Sequence, residues 1–128
     1  MTDTTGTAAL LEAVQRYLDC MYDFDPVRFD RVFRPTAQLH GFQEGRLTMW
    51  SAEKFKDVLA SRPSPKSLSA PREEEILMLD MASPAQAVVK LRLRMNRIVF
   101  VDHLVFQRSE DGWQITAKAY HVERTIAA

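Results

Sequence analysis

The sequence predicts an α+β fold in which three helices cover one face of a curved antiparallel sheet. The first observation is a run of apolar residues at helical spacing near the start of the chain. The second is a pair of short alternating segments around the turn signal Glu44-Gly45, and the third is four longer alternating segments in the second half. Strands joined by short turns pair antiparallel, so we expect the helices to pack on the concave face of such a sheet.

The composition indicates one packed globular domain spanning residues 1–128. The chain has 128 residues, of which 46% are hydrophobic, and both values are ordinary for a single domain. Its 17 basic and 17 acidic side chains cancel, which argues against nucleic-acid binding through net positive charge. A net charge of zero gives little protection against self-association. We therefore expect no nucleic-acid partner, and an oligomer is compatible with the composition.

The single cysteine and the short apolar runs indicate the compartment. Cys20 cannot form an internal disulfide, and no residue that would activate its thiol is visible. The polar residues 1–6 are predicted to be disordered and show no signal peptide, and no stretch is long enough to span a membrane. The three histidines lack metal-ligand spacing, and no phosphate-binding glycine motif is present. We expect a cytoplasmic protein without a membrane partner, a metal or a cofactor.

Three helices follow from apolar spacing and capping residues. Asp25-Pro26 is typical of an N-cap followed by proline at the first helical position, and the second helix must end near Pro35. Ser51 is a suitable N-cap for a third helix over Ala52–Arg62. The first helix, from about Thr7 to Tyr22, is predicted by the recurrence of Leu10, Val14, Tyr17, Leu18 and Met21.

The remaining segments predict strands. Ala37, Leu39 and Gly41 alternate with polar or aromatic neighbours, and the chain returns after Glu44-Gly45 as a short strand over Leu47–Trp50. A loop rich in proline and serine follows over residues 63–71. The meander is then predicted from four segments, near Glu74–Met81, Ala85–Asn96, Ile98–Arg108 and Trp113–Arg124.

The alternation places one carboxylate among apolar side chains. Asp102 shares a strand face with Ile98, Phe100, Leu104 and Phe106. If Asn96-Arg97 is a two-residue turn, Leu91 lies opposite Asp102 on one neighbouring strand. If Asp111-Gly112 is also a two-residue turn, His121 lies opposite Asp102 on the other neighbouring strand. Both turns agree on the face, so an Asp102–His121 pair is predicted in an apolar concave lining. A register shift of one residue would destroy this inference.

The opposite face of the meander is predicted to carry charge and valine. Lys90, Arg92 and Arg94 alternate there, and the acidic residues Glu73–Glu75 are expected to pair with them from the neighbouring strand. One interpretation is a solvated face with weak ion pairs. The other is a homodimer through the sheet face, because apolar residues interrupt the charge at Val88, Val99, Val101 and Val105.

The arrangement resembles the nuclear transport factor 2-like superfamily, in which a cone of curved sheet is closed by helices around a pocket. The segment Ala13–Tyr17 (AVQRY), followed by Asp25 and Phe33, is similar to the opening helices of the ketosteroid isomerases. The segment Val101–Phe106 (VDHLVF) is similar to their strand with the second oxyanion-hole acid. The chain also resembles the SnoaL-like and lumazine-binding-like branches, in the segment DHLVFQRSEDGWQI. The resemblance implies that Tyr17 and Asp102 donate hydrogen bonds to a developing enolate.

The sequence departs from the isomerase pattern at the general base. The position that matches the family's catalytic aspartate is Gly41, and glycine cannot abstract a proton. The adjacent His40 points to the other face by alternation. The sequence therefore lacks the base of the family's usual route to steroid isomerisation, and the short match does not carry the family's activity to this chain.

These observations define a candidate site with two functional interpretations. The candidate catalytic residues are Tyr17 and Asp102, which would stabilise an oxyanion, and His121 as base. The first interpretation is a protein that binds a small apolar or aromatic ligand and performs isomerase-, cyclase- or dehydratase-type proton transfer. The alternative is a non-catalytic dimeric module with a vestigial pocket, in which the polar trio is a satisfied buried cluster. The predicted ligand contacts are Met21, Gly41, Trp50, Phe55, Phe100 and Trp113.

Overall fold

The computed structural model describes residues 6–127. The predicted disorder of residues 1–6 falls outside the described residues, with the exception of Gly6. Gly6 is buried, and its carbonyl accepts a hydrogen bond from the backbone N–H of Leu10 at 2.9 Å, so at this residue the disorder prediction is wrong.

Three helices and six strands form within residues 6–127. The strand order is β2-β1-β6-β5-β4-β3 in one curved sheet that does not close on itself. Neighbouring strands are antiparallel, as the sequence predicts, except β1 and β6, which run parallel. The helices are α1 (Thr7–Asp23), α2 (Pro26–Val32) and α3 (Ala52–Ala60); the strands are β1 (Phe33–Gln43), β2 (Arg46–Ser51), β3 (Glu74–Ser83), β4 (Gln86–Met95), β5 (Ile98–Ser109) and β6 (Gly112–Thr125).

The helix starts follow the predicted caps. The Asp25 carboxylate accepts hydrogen bonds from the backbone N–H groups of Val27 and Arg28, and the Ser51 hydroxyl accepts one from Lys54. These bonds satisfy N–H groups that have no partner within their own helices. α2 ends at Val32, and the chain passes directly into β1 because the residue before Pro35 disfavours helical geometry.

The core lies between α1 and the concave face of the sheet. The predicted apolar stripe of α1 is buried, including Tyr17 at 0% exposure. It packs against inward side chains of β1, β4, β5 and β6, so helix and sheet remove each other's apolar surface from water. The inward strand residues include Leu39, Val89, Leu91, Leu104, Phe106 and Ile115.

The register between β5 and β6 differs from the predicted one. The turn residues are Glu110 and Asp111, and Gly112 follows them with φ +86, as in hairpins whose turn precedes a left-handed glycine. This change moves the pairing by two residues and keeps each side chain on its face. A β-bulge at Thr116 then moves it by one, which exchanges the faces of the residues that follow, up to a second register shift near Glu123.

The bulge overturns the predicted Asp102–His121 pair. Asp102 lies opposite Tyr120, whereas His121 lies opposite Val101 and is exposed on the outer face. Lys118 and Tyr120 therefore occupy the concave side. The predicted register between β4 and β5 is confirmed, because Met95 pairs with Ile98 across the Asn96-Arg97 turn and Leu91 lies opposite Asp102.

The outer face carries the predicted ion pairs. Arg92 contacts Glu75 at 2.6 Å and Glu123 at 3.1 Å, and Arg94 contacts Glu73 at 3.2 Å. Val99 and Val101 are buried and Val88 and Val105 half-buried, so these valines add little exposed apolar surface to this face. The most exposed large apolar side chains of this face lie on the β1–β2 hairpin, at Phe42, Leu47 and Met49, and Met78 on β3 is also exposed there.

Candidate functional site

A cavity of about 440 Å³ lies between the concave sheet face, α1, α3 and the loop over residues 61–73. Its lining is mostly apolar. Four of the predicted ligand-contact residues line it: Met21, Trp50, Phe55 and Phe100. The other lining side chains are Phe24, Leu39, Gln43, Leu59, Arg62, Pro63, Ser64, Pro65, Leu68, Met95, Asn96, Arg97, Ile98, Asp102, Lys118 and Tyr120.

Two predicted ligand contacts do not line this cavity. Gly41 is covered by the ring of Tyr120, and a Cβ at residue 41 would overlap atoms of that ring. Trp113 is buried in the core, where it borders a separate depression with Arg108 and Gln114. The space that an aspartate at position 41 would need is thus filled by an aromatic side chain.

Asp102 is buried to 1% exposure and lines the cavity. The Tyr17 hydroxyl donates a hydrogen bond of 2.5 Å to its Oδ2 atom, while Oδ1 has no hydrogen-bond partner among residues 6–127. Burial raises the pKa of Asp102 above the usual 3.8, and Lys118 and the Tyr17 hydrogen bond act against this rise. The carboxyl group therefore holds a proton more readily than a solvated aspartate does.

Lys118 is the second charged residue of the site, and it is buried to 7% exposure. Its Nζ atom lies 3.8 Å from Asp102 Oδ2 and faces three rings, with centroids at 4.6 Å for Phe55, 5.3 Å for Tyr17 and 6.0 Å for Tyr120. Burial lowers the pKa of Lys118 below the usual 10.5, and the charge of Asp102 partly restores it. The ammonium form is held by one carboxylate and the faces of aromatic rings.

Tyr17 acts behind the cavity wall. It is fully buried, its hydroxyl is hydrogen-bonded to Asp102, and it is not among the residues that line the cavity. Burial raises the pKa of Tyr17 well above 10.0, and the Asp102 charge adds to the rise. Tyr17 therefore remains a hydrogen-bond donor and orients the carboxyl group, rather than meeting a ligand itself.

The buried pair has two protonation states with the same net charge. In one, Asp102 is a carboxylate and Lys118 an ammonium; in the other, both groups are neutral. Burial favours the neutral state at each group, and their mutual attraction favours the charged state. A pair of this kind supplies a proton donor and a proton acceptor side by side, which is the arrangement that acid–base chemistry requires.

Comparison with known proteins gives the family. A family model with the description "Putative lumazine-binding" matches residues 5–121. The chain belongs to this family. No curated protein sequence matches it significantly.

Solved structures similar to this chain share the nuclear transport factor 2-like fold. One is an NTF-2 like protein of unknown function from Silicibacter pomeroyi, with a TM-score of 0.79 at 23% identity, covering 96% of this chain and 100% of the other. A second NTF2-like protein of unknown function, from Shewanella baltica, has a TM-score of 0.81 at 19% identity, covering 98% and 99%. A ketosteroid isomerase-like protein from Erwinia carotovora atroseptica has a TM-score of 0.72 at 14% identity, covering 95% of this chain and 99% of the other.

The sequence patterns did not indicate Lys118 and Tyr120 as site residues. The alternation that predicts His121 on the concave face puts both residues on the outer face, and this alternation does not hold across the bulge at Thr116. A lysine between Ala117 and Ala119 in an apolar strand does not by itself mark a buried site. The arginines Arg62 and Arg97, which are exposed at the cavity mouth, were also missed, since they lie in a loop and a turn.

Other candidate features of this family member show no further chemistry. Cys20 is buried, and burial raises the pKa of its thiol to about 12, so the reactive thiolate is scarce at neutral pH. Residues 6–127 contain no group of three His, Cys, Asp or Glu side chains arranged to hold a metal ion. None of the helices in that range is long and apolar enough to cross a bilayer.

Proposed function

We propose that this protein binds a small, mostly apolar molecule with one carbonyl or phenolic oxygen, and that the oxygen meets Asp102 and Lys118. The observation that carries the proposal is the burial of this charged pair in the wall of an apolar cavity. Asp102 Oδ1 lacks a partner among the described residues, and a buried polar atom without a partner is costly. A ligand hydroxyl that donates to Oδ1, or a ligand carbonyl oxygen that accepts from a protonated Oδ1, would remove that cost.

The cavity separates its polar groups by depth. Asp102 and Lys118 are buried, whereas Arg62 and Arg97 are exposed at the mouth. Between them, the lining is formed by aromatic and aliphatic side chains such as Trp50, Phe55 and Phe100. This arrangement suits a ligand with an apolar ring and a single polar end, since few well-placed polar groups in an apolar pocket fix orientation.

Proton transfer next to a carbonyl group is the chemistry that we propose for this site. A protonated Asp102 or the Lys118 ammonium would stabilise the oxyanion of an enolate. Neutral Lys118 replaces His121 as the candidate base, because His121 lies on the outer face. Isomerisation, cyclisation and dehydration share this step, and the pair supports them as a class.

The test uses 4-nitrophenol, a phenol whose absorbance reports its protonation state, and lumazine, a pteridinedione chosen because the family description names it. Binding is followed through quenching of tryptophan fluorescence, since Trp50 lines the cavity. We expect wild type to bind at least one of the two, and Asp102→Asn and Lys118→Met to weaken it about tenfold or more, as expected for lost hydrogen bonds to charged groups. His121→Asn is the matched control and should bind like wild type. Equal binding by all four proteins, or none by wild type, would overturn the proposal.

We propose a second role for the outer face, as a homodimer contact. Phe42 is 65% exposed, Leu47 64% and Met49 52%, and the register places Phe42 opposite Leu47 and His40 opposite Met49. The side chains of Ala117 and Ala119 on the adjoining part of β6 are small, so a second copy can approach the sheet closely there. Two copies without net charge do not repel each other. This surface favours the alternative of a dimeric module, and it is compatible with a functional cavity.

For the compartment, we propose the cytoplasm. The chain has a single cysteine, and Cys20 is buried as a free thiol. Structural disulfides are rare in reducing compartments and common in secreted domains of small size. The proposal is supported by this cysteine use alone.

A further inference from the structure

Lys118 differs from the other lysines of the chain. It is buried and lines the cavity, whereas Lys54 and Lys66 are exposed and Lys56 and Lys90 are partly exposed. Lys56 is also bound to Asp30 at 2.9 Å on the surface. An amine that reacts with a bound molecule must meet that molecule away from bulk water, and Lys118 alone among these lysines has that position.

The burial of Lys118 favours its neutral amine, whereas the ring faces and the carboxylate around it favour its ammonium form. Its Nζ atom faces the rings of Phe55, Tyr17 and Tyr120, and Asp102 is the carboxylate beside it at 3.8 Å. Burial lowers the pKa of this amine. Each unit by which a lysine pKa falls raises its neutral, nucleophilic fraction at pH 7 about tenfold. Desolvated lysines of this kind are the ones that proteins use as nucleophiles.

We propose that Lys118 is a covalent nucleophile that condenses with the carbonyl group of a small apolar ketone or aldehyde in the cavity. This inference rests on the proposed function, because the substrate must first occupy the cavity. It goes further by naming a covalent intermediate and the carbonyl compounds as the substrate class.

The adjacent carboxyl group supplies the proton that the condensation needs. The Nζ lone pair forms a bond to the carbonyl carbon, and a proton moves from nitrogen to oxygen to give a carbinolamine. Protonated Asp102 then gives its proton to the hydroxyl, water leaves, and the nitrogen lone pair completes an iminium ion. No oxidant or reductant is consumed. The resulting Asp102 carboxylate lies beside the iminium nitrogen, and Tyr17 continues to orient it through the 2.5 Å hydrogen bond.

The geometry also places a proton acceptor where an iminium ion acidifies its neighbours. An iminium ion withdraws electrons from the adjacent C–H bonds more strongly than a carbonyl group does. The carboxylate oxygen Oδ1 of Asp102, which has no partner among residues 6–127, is available to accept such a proton. The pair would thus replace the base that is missing at Gly41, where the ring of Tyr120 occupies the space.

The experiment treats wild-type protein with 1-phenyl-1,3-butanedione. A 1,3-diketone and a lysine amine lose one water and form an enaminone, which absorbs in the near ultraviolet and needs no reductant. We expect one equivalent to add, with the mass of the diketone less one water. The modified lysine should resist trypsin, so that the adduct is found in the peptide over residues 109–124. Lys118→Arg keeps a cation but has no condensing amine, and it should form no such peptide.

The outcomes separate this inference from the proposed function. Modification that spreads evenly over Lys54, Lys56, Lys66 and Lys90, or equal reaction of wild type and Lys118→Arg, would overturn it. If 4-nitrophenol still binds wild type in that case, the cavity function stands and only the covalent step fails. If the diketone, 4-nitrophenol and lumazine all fail to engage the cavity, the proposed function fails as well. Asp102→Asn should retain the amine yet form the enaminone more slowly, because it removes the proton donor.

Discussion

Asp102 and Lys118 are buried together at a site where the charge of either residue alone would be unfavourable. Each is buried among apolar side chains, and isolated charges in such surroundings lose the hydration that stabilises them. Together they remain neutral overall in either protonation state, and Tyr17 fixes one oxygen of the carboxyl group. Replacing such a pair by uncharged residues is often neutral for stability, so function is the better reason for keeping it.

The pKa directions predict how stability depends on pH. The folded pKa of Asp102 is raised, so its contribution is present below pH 3.8 and is lost as pH rises through the folded value. The folded pKa of Lys118 is lowered, so its contribution is present above pH 10.5 and is lost as pH falls through the folded value. The two effects together predict that the pair's contribution to the free energy of unfolding has a minimum between pH 3.8 and pH 10.5.

This minimum is measured by urea unfolding at a series of pH values. The quantity is the free energy of unfolding of wild type minus that of the double variant Asp102→Asn/Lys118→Met. We expect the difference to fall as pH rises above 3.8 and to rise again on approach to pH 10.5, with slopes of at most about 1.4 kcal/mol per pH unit. A flat difference, or a maximum between those limits, would contradict the account of the buried pair.

Gly41 is required by the close approach of Tyr120. A Cβ at residue 41 would overlap the ring, so we expect Gly41→Ala to lower the free energy of unfolding by about 1–3 kcal/mol. In the Tyr120→Ala background the same change should cost much less, because the ring is gone. Chemical denaturation of the four proteins gives the coupling free energy. Equal costs of Gly41→Ala in both backgrounds would show that the ring does not set this requirement.

At the scale of elements, β6 determines the composition of the site. Its bulge at Thr116 brings Lys118 and Tyr120 to the concave face and sends His121 to the outer face. The helices, the capping residues and the Asn96-Arg97 turn were predictable because each has a local chemical signal. The bulge was not, because one extra residue in an antiparallel pair depends on the twist of the whole sheet rather than on Thr116 itself.

The start of α2 gives a test at this scale. The Asp25 carboxylate accepts a 2.9 Å hydrogen bond from Val27 N–H, and α2 has only 7 residues, so loss of one cap affects much of the helix. We expect Asp25→Ala to lower the free energy of unfolding by about 0.5–2 kcal/mol, measured by thermal or urea denaturation. Asp25→Asn keeps an accepting oxygen and should stay close to wild type. A loss of the same size for both substitutions would rule out capping as the reason.

At the scale of the whole molecule, the fold and the site differ in how far the sequence predicts them. The α+β class, the nuclear transport factor 2-like resemblance and the central position of Asp102 and Tyr17 follow from patterns spread over many residues. The cavity depends on side chains from distant segments, including the loop over residues 61–73, whose position is set by contacts such as Lys66 N–H with the carbonyl of Tyr22 at 3.0 Å. Such contacts have no local sequence signal.

The dimer proposal is tested at this scale by sedimentation velocity. We expect wild type to sediment as a dimer at micromolar concentration and Phe42→Glu and Leu47→Glu to sediment as monomers, because a buried unpaired carboxylate is costly. Val27→Glu is the control, since Val27 is 72% exposed on α2 and lies away from the sheet face. A monomeric wild type, or dimeric glutamate variants, would contradict the proposed contact.

The most direct test of the central claim is a crystal structure of wild type with bound 4-nitrophenol, or with lumazine if that binds more tightly. The account predicts that the ring lies in the cavity beside Trp50 and Phe55, with an oxygen within hydrogen-bond distance of Asp102 or Lys118. A ligand that binds elsewhere, or one that lies in the cavity with its oxygen turned to the mouth and away from both residues, would contradict the account.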